Sequence, residues 1–312
     1  MDCEELRERV RAGGLLAGGR PVLAMLSGGR DSTCLLDVSR ALLGAAQVSA
    51  LHVNYALRAQ ADAEEARCRA LCEQLGVELE VVRAQAPTGN LQAWARELRY
   101  AEARRSAERR DALIATGHTA GDQVETILYR LAASPGRRAL LGMAAAEGRL
   151  IRPLLRLTRE QTEAYCRARA LGFSEDESNL DERYARVRVR NRVVPALRAV
   201  HPAAESNILR TAALLREETE LLDGLVAAEL EGRASIAVAR LRELPAALSA
   251  RLTTTIRASA AGTYVPQAGE RVEEILALAR RGGRAELHVG GRAGAVIDDG
   301  VLEMVKLPPR GG

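Results

Sequence analysis

The chain has 312 residues, of which 47% are apolar and only 3% are aromatic, and it carries a formal net charge of +4. This length predicts one large domain with a smaller one, and the apolar fraction is typical of a globular protein. The sequence contains no run of about 18 apolar residues, which argues against a membrane span. The mildly basic balance is compatible with a nucleic-acid partner but does not require one.

The five cysteines are odd in number and form no CxxC pair. Cys68 and Cys72 are four residues apart, which is a poor spacing for a zinc or iron–sulfur knuckle. We therefore expect buried thiols in a reducing compartment. Since the sequence also shows no secretory signal pattern, the expected location is the cytoplasm.

The first motif is a Ser-Gly-Gly-Arg-Asp-Ser turn that joins a predicted buried strand, 22–26, to a predicted helix. Glycines let backbone N–H groups face inward, and a helix start adds unpaired N–H groups with partial positive charge, so the turn predicts an anion site. A carboxylate is a poor phosphate ligand, so Asp31 is expected either to hold Mg²⁺ or to cap the helix. The GxxxxGK[ST] loop is excluded because the only lysine is Lys306. The candidate ligands are Ser27, Gly28, Gly29, Arg30, Asp31 and Ser32.

Predicted strands and helices then alternate, which indicates a parallel sheet covered on both faces. Ligands of such sheets bind beyond the carboxyl ends of the strands. The second predicted strand ends at His52 and Val53, where a backbone edge could contact an adenine; a purely structural role for His52 is the alternative. A helix over 91–110 places Arg96 and Arg99 on one face, either as a solvated basic surface or as ligand contacts.

The next predicted strand, 112–115, leads into a turn at Gly117, and a helix begins near Ala120. His118 and Asp122 are four residues apart at this helix start, again beyond the carboxyl end of a strand. A lone histidine is more often structural than catalytic. Paired with an acid beside a glycine turn, it becomes a candidate for acid–base chemistry.

The segment 173–192 joins an acidic half to an arginine-rich half. It follows a last predicted strand, 150–155, and a helix that opens with a Thr158–Gln161 capping box. One interpretation is a surface helix with weak salt bridges. The other is a basic ridge that binds RNA phosphates.

The fold class that follows is α/β: a doubly wound parallel sheet followed by a smaller α+β domain. We expect a larger domain over 1–204 that contains the anion site, a connecting helix over 205–232 and a small domain over 233–312. The last domain is predicted to end in a β-meander, with strands over 285–289, 293–297 and 301–305.

Several segments together resemble one family of PP-loop ATPases, the bacterial tRNA(Ile)-lysidine synthetases. The Ser-Gly-Gly-x-Asp-Ser turn is similar to the pyrophosphate loop of PP-loop enzymes, which cut ATP between its α and β phosphates. A Ser-Asn-x-Asp stretch followed by arginines resembles this family more than other PP-loop enzymes. The matching segments are 27–32, 52–58, 95–100, 115–126, 152–155 and 176–195.

The sequence departs from the family pattern in three places. Gly121 stands where the family usually has the first of two acids before a glutamine. The loop 133–136 lacks an arginine that is usual there, and Val187 replaces a frequent asparagine. The chain resembles the short form of the family, so tRNA recognition is expected to rest on fewer surfaces.

The resemblance implies that free L-lysine is joined to the wobble cytidine of a tRNA(Ile) with a CAU anticodon. The cytidine 2-carbonyl oxygen would attack the α-phosphate of ATP, pyrophosphate would leave, and the lysine amine would displace AMP. A homodimer is compatible with such folds. The implied catalytic residues are Asp31, also the Mg²⁺ ligand, with His118, Asp122, Arg96 and Arg99. The implied nucleotide-binding residues are the loop 27–32 with His52, Val53 and Gly117. The implied tRNA contacts are Asn179, Arg186, Arg188 and Arg190.

Two alternatives stay open. A tRNA thiolase of the same fold would activate a base identically but deliver sulfur, and it would usually need paired active-site cysteines, which the sequence does not reveal. A non-catalytic RNA-binding relic of the fold is the other alternative. The intact turn with Asp31 and the presence of Asp122 argue against the relic.

Overall fold

A computed structural model describes residues 2–56, 61–85, 87, 91–133, 137–174, 184–261, 268–288 and 293–306. The chain divides into two compact units. The first comprises Met1–Ala132 and Gly142–Leu209, and the second comprises Ala133–Leu141 and Arg210–Gly312. The helix predicted as a connector spans Ala204–Leu230, so its residues are shared between the two units.

The first unit alternates strands with helices, as the sequence predicts. Its strands are β1 (Val22–Met25), β2 (Val48–Asn54), β3 (Glu78–Arg83), β4 (Leu113–Ala115), β5 (Ala146–Glu147) and β6 (Leu150–Ile151). Its helices are α1 (Cys3–Ala12), α2 (Arg30–Leu43), α3 (Ala61–Leu75), α4 (Leu91–Arg110), α5 (Ala120–Ala133), α7 (Arg159–Ala168), α8 (Ala185–Arg188) and α9 (Val194–Val200), with α6 (Arg137–Leu140) in the second unit. The last predicted strand is shorter than expected, because the chain turns after Ile151.

The strands form one sheet in the order β3-β2-β1-β4-β6-β5, parallel except for the β5–β6 pair. Every residue of β1 and β2 is buried, as in a sheet covered on both faces. Side chains alternate between the two faces. Val22 and Ala24 pack with α1, α2, α3 and α7, whereas Leu23 and Met25 pack with α4. The predicted doubly wound α/β class is confirmed.

The strand order reverses direction at β1. The chain passes from β1 to β2 and β3 on one side, and then returns to place β4 on the other side of β1. In open parallel sheets, a crevice for ligands lies beyond the carboxyl ends of the strands at such a reversal. The two segments that leave these ends are the Ser27–Ser32 turn after β1 and the Thr116–His118 turn after β4.

The second unit contains most of α10 (Ala204–Leu230), α11 (Val238–Glu243), α12 (Ala246–Ala261) and α13 (Ala268–Arg281). Helices α11 and α12 are separate because Leu244 is extended before Pro245. A four-stranded antiparallel sheet has the order β7-β10-β9-β8. It confirms the meander and adds a strand that the sequence interpretation missed. These strands are β7 (Ser235–Ala237), β8 (Ala285–His288), β9 (Ala293–Asp298) and β10 (Val301–Lys306).

One face of this second sheet builds the core of its unit. Leu302 and Ile297 pack against Leu252 and Ile256 of α12 and against Ile275 of α13. Throughout the described ranges, no helix combines the length and the apolar character needed to cross a membrane.

Candidate active site

A cavity of about 750 Å³ opens where the β1 and β4 turns meet. It lies at the reversal of strand order, which is the position that the fold favours for a ligand. Most residues predicted for the site line it. These are Ser27, Gly29, Arg30, Asp31, Ser32, Val53, Arg99, Gly117, His118, Asp122 and Arg190.

The Ser27–Ser32 turn is an open backbone cradle at the start of α2. Gly28 has a φ of +80°, which favours glycine, and Gly29 precedes the helix in an extended conformation. The Ser32 hydroxyl donates to the Gly29 carbonyl at 2.8 Å and lies 3.0 Å from the Ser27 hydroxyl. The hydroxyls therefore brace the turn, while the start of α2 has no side-chain cap. Uncapped N–H groups of a first helical turn suit an anionic ligand.

Asp31 does not cap the helix, so that alternative is wrong. Its Oδ1 accepts a 2.5 Å hydrogen bond from the Thr162 hydroxyl and a 3.1 Å bond from the Arg30 guanidinium. Arg30 also pairs with Glu163 at 3.4 Å. Helix α7 therefore holds both the Asp31 carboxylate and the neighbouring Arg30 guanidinium in place at the edge of the cavity.

Gly117 brings the β4 turn into direct contact with the first turn of α2. A Cβ at this position would lie 2.9 Å from the carbonyl carbon and oxygen of Asp31 and 3.0 Å from the backbone nitrogen of Ser32. Contacts this short with backbone atoms leave no room for a side chain. Glycine is therefore required at position 117 for the close approach of the two turns, and Gly117 also lines the cavity.

His118 is held uncharged. Its Nδ1 lies 2.8 Å from the Thr116 hydroxyl. Burial lowers the pKa of His118 to about 4, with Arg152, Arg186 and Arg96 acting in the same direction against the opposing effect of Asp122. The imidazole is therefore neutral at physiological pH and suits a hydrogen-bonding role more than that of a cation.

Asp122 uses its two oxygens differently. Its Oδ2 accepts from the backbone N–H and the hydroxyl of Thr119, at 2.8 and 2.9 Å, and so closes the start of α5. Its Oδ1 faces the Arg190 guanidinium at 3.6 Å. One carboxylate oxygen is thus structural, and the other faces Arg190, which lines the same cavity.

His52 does not line the cavity, unlike its neighbour Val53. Successive strand residues point to opposite faces, so Val53 faces α4 while His52 lies on the side of α3. His52 is 4% exposed, with Nδ1 2.9 Å from the Leu26 carbonyl and 3.5 Å from the Cys68 sulfur. These contacts favour the structural alternative for this side chain.

An apolar and aromatic wall of the cavity faces the Ser27–Ser32 turn. It includes Met25, Leu51, Val53, Tyr55, Tyr100 and Phe173. Tyr55 donates from its hydroxyl to the Ala95 carbonyl at 3.0 Å, which fixes α4 to the end of β2. Arg99 lines the cavity, whereas Arg96 is exposed and places its guanidinium 5.0 Å from the centre of the Tyr100 ring.

The predicted basic ridge is folded back onto α5 at two of its arginines. Arg186 donates to the Thr126 hydroxyl at 2.5 Å, and Arg190 forms a two-pronged pair with Glu125. Arg188 is exposed. The fourth predicted tRNA contact, Asn179, lies outside the described residues, as do residues 134–136 of the loop 133–136.

Sequence reasoning missed several residues that shape the site. Ser174 clamps the Ser27–Ser32 turn, since its backbone N–H and its hydroxyl donate to the Gly28 carbonyl at 2.9 and 3.1 Å. Arg159, at the start of α7, lines the cavity. Gln123 exchanges two hydrogen bonds with the backbone of Met143. The position of Gln123 in the 115–126 motif was a signal, but nothing local marks Ser174, Thr162 or Arg159 as close to the loop.

The cysteine thiols and the carboxylates are the side chains that could offer ligands to a metal ion. All five thiols are free, and Cys34 lies beside Cys166 in the core, where neither lines the cavity. Across the part of the chain that the structure describes, no group of three His, Cys, Asp or Glu side chains could hold a metal ion. An ion at Asp31 would therefore need most of its oxygen ligands from phosphates and water, as Mg²⁺ commonly does at nucleotide sites.

The chain belongs to the PP-loop domain family, whose family model matches residues 5–197. Membership implies an ATP-binding site, in agreement with the uncapped cradle and the cavity. The predicted PP-loop class is confirmed.

Similar proteins point to one family within the PP-loop class. The chain is 41% identical to the tRNA(Ile)-lysidine synthase of Pseudomonas fluorescens over 212 residues, which are 65% of this chain and 48% of that protein. It is 35% identical to the tRNA(Ile)-lysidine synthase of Ralstonia nicotianae over 284 residues, covering 87% of this chain and 61% of that protein. The chain thus spans about half the length of the first of these relatives. The predicted resemblance is confirmed.

A solved structure shares the fold at low sequence identity. The U34-tRNA thiolase NcsA from Methanococcus maripaludis matches with a TM-score of 0.56 and 18% identity, over 68% of this chain and 78% of that chain. This likeness supports the PP-loop architecture and no particular reaction.

Proposed function

We propose that this chain joins free L-lysine to the wobble cytidine of a tRNA(Ile) with a CAU anticodon, converting ATP to AMP and pyrophosphate. The observation that carries the proposal is the meeting of the Ser27–Ser32 cradle and the His118–Asp122 pair at one cavity. Similarity to tRNA(Ile)-lysidine synthases over 65–87% of the chain supports the choice of reaction.

The first step is adenylation of the cytidine. The pyrophosphate end of ATP fits the backbone N–H groups of the loop, and the adenine fits the apolar side of the cavity at Met25, Leu51 and Val53. Preformed donors stabilise the charge that develops on a departing pyrophosphate. Asp31 is the residue that would hold Mg²⁺, which would supply further charge stabilisation there.

The cytidine must leave its stack to reach the α-phosphate. This displacement costs little free energy in an anticodon loop, where the base is already unpaired. Tyr100 offers a ring at the cavity wall, with Arg96 beside it and Arg99 nearby. We assign this wall to the base and the α-phosphate. Arg186 and Arg188 are assigned to the phosphates of the anticodon stem, together with Asn179.

The second step transfers the lysine amine and releases AMP. The amine must lose a proton before it attacks, since its unperturbed pKa is about 10.4. Asp122 can bind the ammonium through Oδ1 and receive a proton from it. A neutral His118 fits as a hydrogen-bond partner that orients the reacting groups without repelling the ammonium.

The test is incorporation of radiolabelled lysine. The full chain is incubated with ATP, Mg²⁺, labelled lysine and unmodified tRNA(Ile) bearing CAU, with methionine tRNA as the specificity control. We expect label at the wobble base and equimolar AMP. Transfer of labelled sulfur from a sulfur donor to the tRNA, with no lysine incorporated, would identify a thiolase. Binding of tRNA with neither product would identify a non-catalytic RNA-binding relic.

Asp31→Ala separates binding from chemistry. We expect AMP transfer to be abolished while tRNA still binds, because the acid lies at the pyrophosphate loop. Retained adenylation in that variant would remove Asp31 from the metal role. Light scattering of the wild-type chain tests whether it forms a homodimer. We place the reaction in the cytoplasm, where free thiols such as the five here persist.

A further inference from the structure

Glu125 is a buried acid beside the site that the proposed chemistry leaves without a role. It is 6% exposed and lies one helical turn beyond Asp122 on α5. Its two oxygens accept from Nε and Nη2 of Arg190 at 2.5 and 2.9 Å. Such a two-pronged pair fixes both the position and the plane of the guanidinium.

The same guanidinium faces Asp122 without closing on it. The separation from Asp122 Oδ1 is 3.6 Å, longer than either distance to Glu125. The other oxygen of Asp122 is already occupied by Thr119. The oxygen that faces Arg190 is therefore the only one of the two that is not used to close α5.

The backbone that carries Arg190 is held independently of this pair. A π-helical turn, Val189–Val193, follows α8, and such widened turns often occur at functional sites. Val189 and Val194 pack against Val124 on α5, and Arg186 bonds to Thr126. Packing therefore sets the backbone, and the two-pronged pair with Glu125 orients the guanidinium.

We propose that Glu125 is a positioning residue that holds Arg190 away from Asp122, so that Asp122 Oδ1 stays available to the ammonium of the incoming amino acid. This inference rests on the proposed function, which brings lysine to Asp122. Among the residues that the structure describes, the carboxylate next nearest to Arg190 after Glu125 is that of Asp122. A closed Arg190–Asp122 pair would then compete with the ammonium for the same oxygen.

The test compares Glu125→Gln, Arg190→Gln and the double variant. For Glu125→Gln we expect the lysine KM to rise about tenfold, the size of one hydrogen bond to a charged group. Adenylation, measured as tRNA-dependent pyrophosphate release, should stay within about twofold. In the double variant the competing cation is gone, so the lysine KM at saturating tRNA should return toward the wild-type value.

A matched control is Glu80→Gln, which removes another acid paired with an arginine, Arg109, away from the cavity. Its lysine KM should not change. An unchanged lysine KM in Glu125→Gln, or a double variant as impaired as the single one, would show that the pair only stabilises the fold.

A crystal structure of Glu125→Gln gives a readout that needs no turnover. We expect the distance from Arg190 to Asp122 Oδ1 to shorten to hydrogen-bond length; a guanidinium that stays beside residue 125 would overturn the inference. If the wild-type chain failed to incorporate lysine, the proposed function would fail, and this structural arm would still decide whether Glu125 positions Arg190.

Discussion

Replacing Gly117 by alanine should damage the site through one methyl group. The added Cβ would lie 2.9 Å from the backbone carbon and oxygen of Asp31, well inside ordinary contact. Backbone atoms cannot rotate away, so the β4 turn or the start of α2 must shift by several tenths of an ångström. Overpacking of this kind costs about 1–3 kcal/mol. For a unit of this size, 2 kcal/mol corresponds to a fall in Tm of about 4–8 °C.

The same shift misaligns the Ser27–Ser32 cradle, so we also expect affinity for a non-hydrolysable ATP analogue to fall at least tenfold by calorimetry. Gly121→Ala is the matched control, because its nearest neighbour outside the helix backbone is the Thr119 hydroxyl at 3.8 Å. That change should leave Tm equal or slightly higher, since alanine favours a helix over glycine. If Gly117→Ala bound the analogue normally and melted like Gly121→Ala, the close approach of the two turns would be wrong.

Three further predictions follow from the hydrogen bonds and the pKa shifts. Thr162→Val removes the hydroxyl that donates to Asp31 at nearly constant shape, and it should lower the unfolding free energy by about 1.5–3 kcal/mol. The control, Thr253→Val, removes a hydrogen bond to a neutral carbonyl and should cost less. Equal losses of unfolding free energy in denaturant titrations would contradict this prediction. Hydrogen bonds from Arg83 and Asn54 lower the pKa of Glu65 to about 2 from 4.5, so its stabilisation is complete above pH 4.5 and is lost as the pH falls toward 2. Acid titration of Glu65→Gln should therefore lack that part of the pH dependence, and an unchanged curve would refute it. His118 has its pKa lowered to about 4 from 6.5, so unfolding free energy should fall as the pH drops from 6.5 to 4, and His118→Asn should flatten that window. A histidine resonance that titrates near pH 6.5 in the folded protein would contradict the burial of His118.

Much of the fold was predictable because it rests on local patterns. The buried run of β1, the amphipathic α5 and the capping box of α7 each follow from a few neighbouring residues. The position of the cavity was also predictable, because the strand order of a doubly wound sheet decides where a ligand binds.

The side-chain assignments were less predictable, because they depend on contacts that are distant in sequence. His52 and Val53 were treated alike, yet strand alternation sends them to opposite faces of the sheet. Thr162 reaches Asp31 across 131 residues and Ser174 reaches Gly28 across 146. No spacing rule in one sequence reports such pairs.

Asp31 and Asp122, the two acids that line the cavity, have different surroundings. This difference helps to explain how one site could carry out two successive steps. Asp31 is held by Thr162 and Arg30 at the loop that suits pyrophosphate, whereas Asp122 closes α5 and faces Arg190. Each acid sits on the helix that follows one of the two strands flanking the reversal of strand order. A sheet that reverses at β1 therefore brings a leaving-group site and an acceptor site together while keeping their supporting contacts separate. Changes to the contacts of one acid should then alter one step more than the other, which is why the split between pyrophosphate release and lysine KM is the informative measurement.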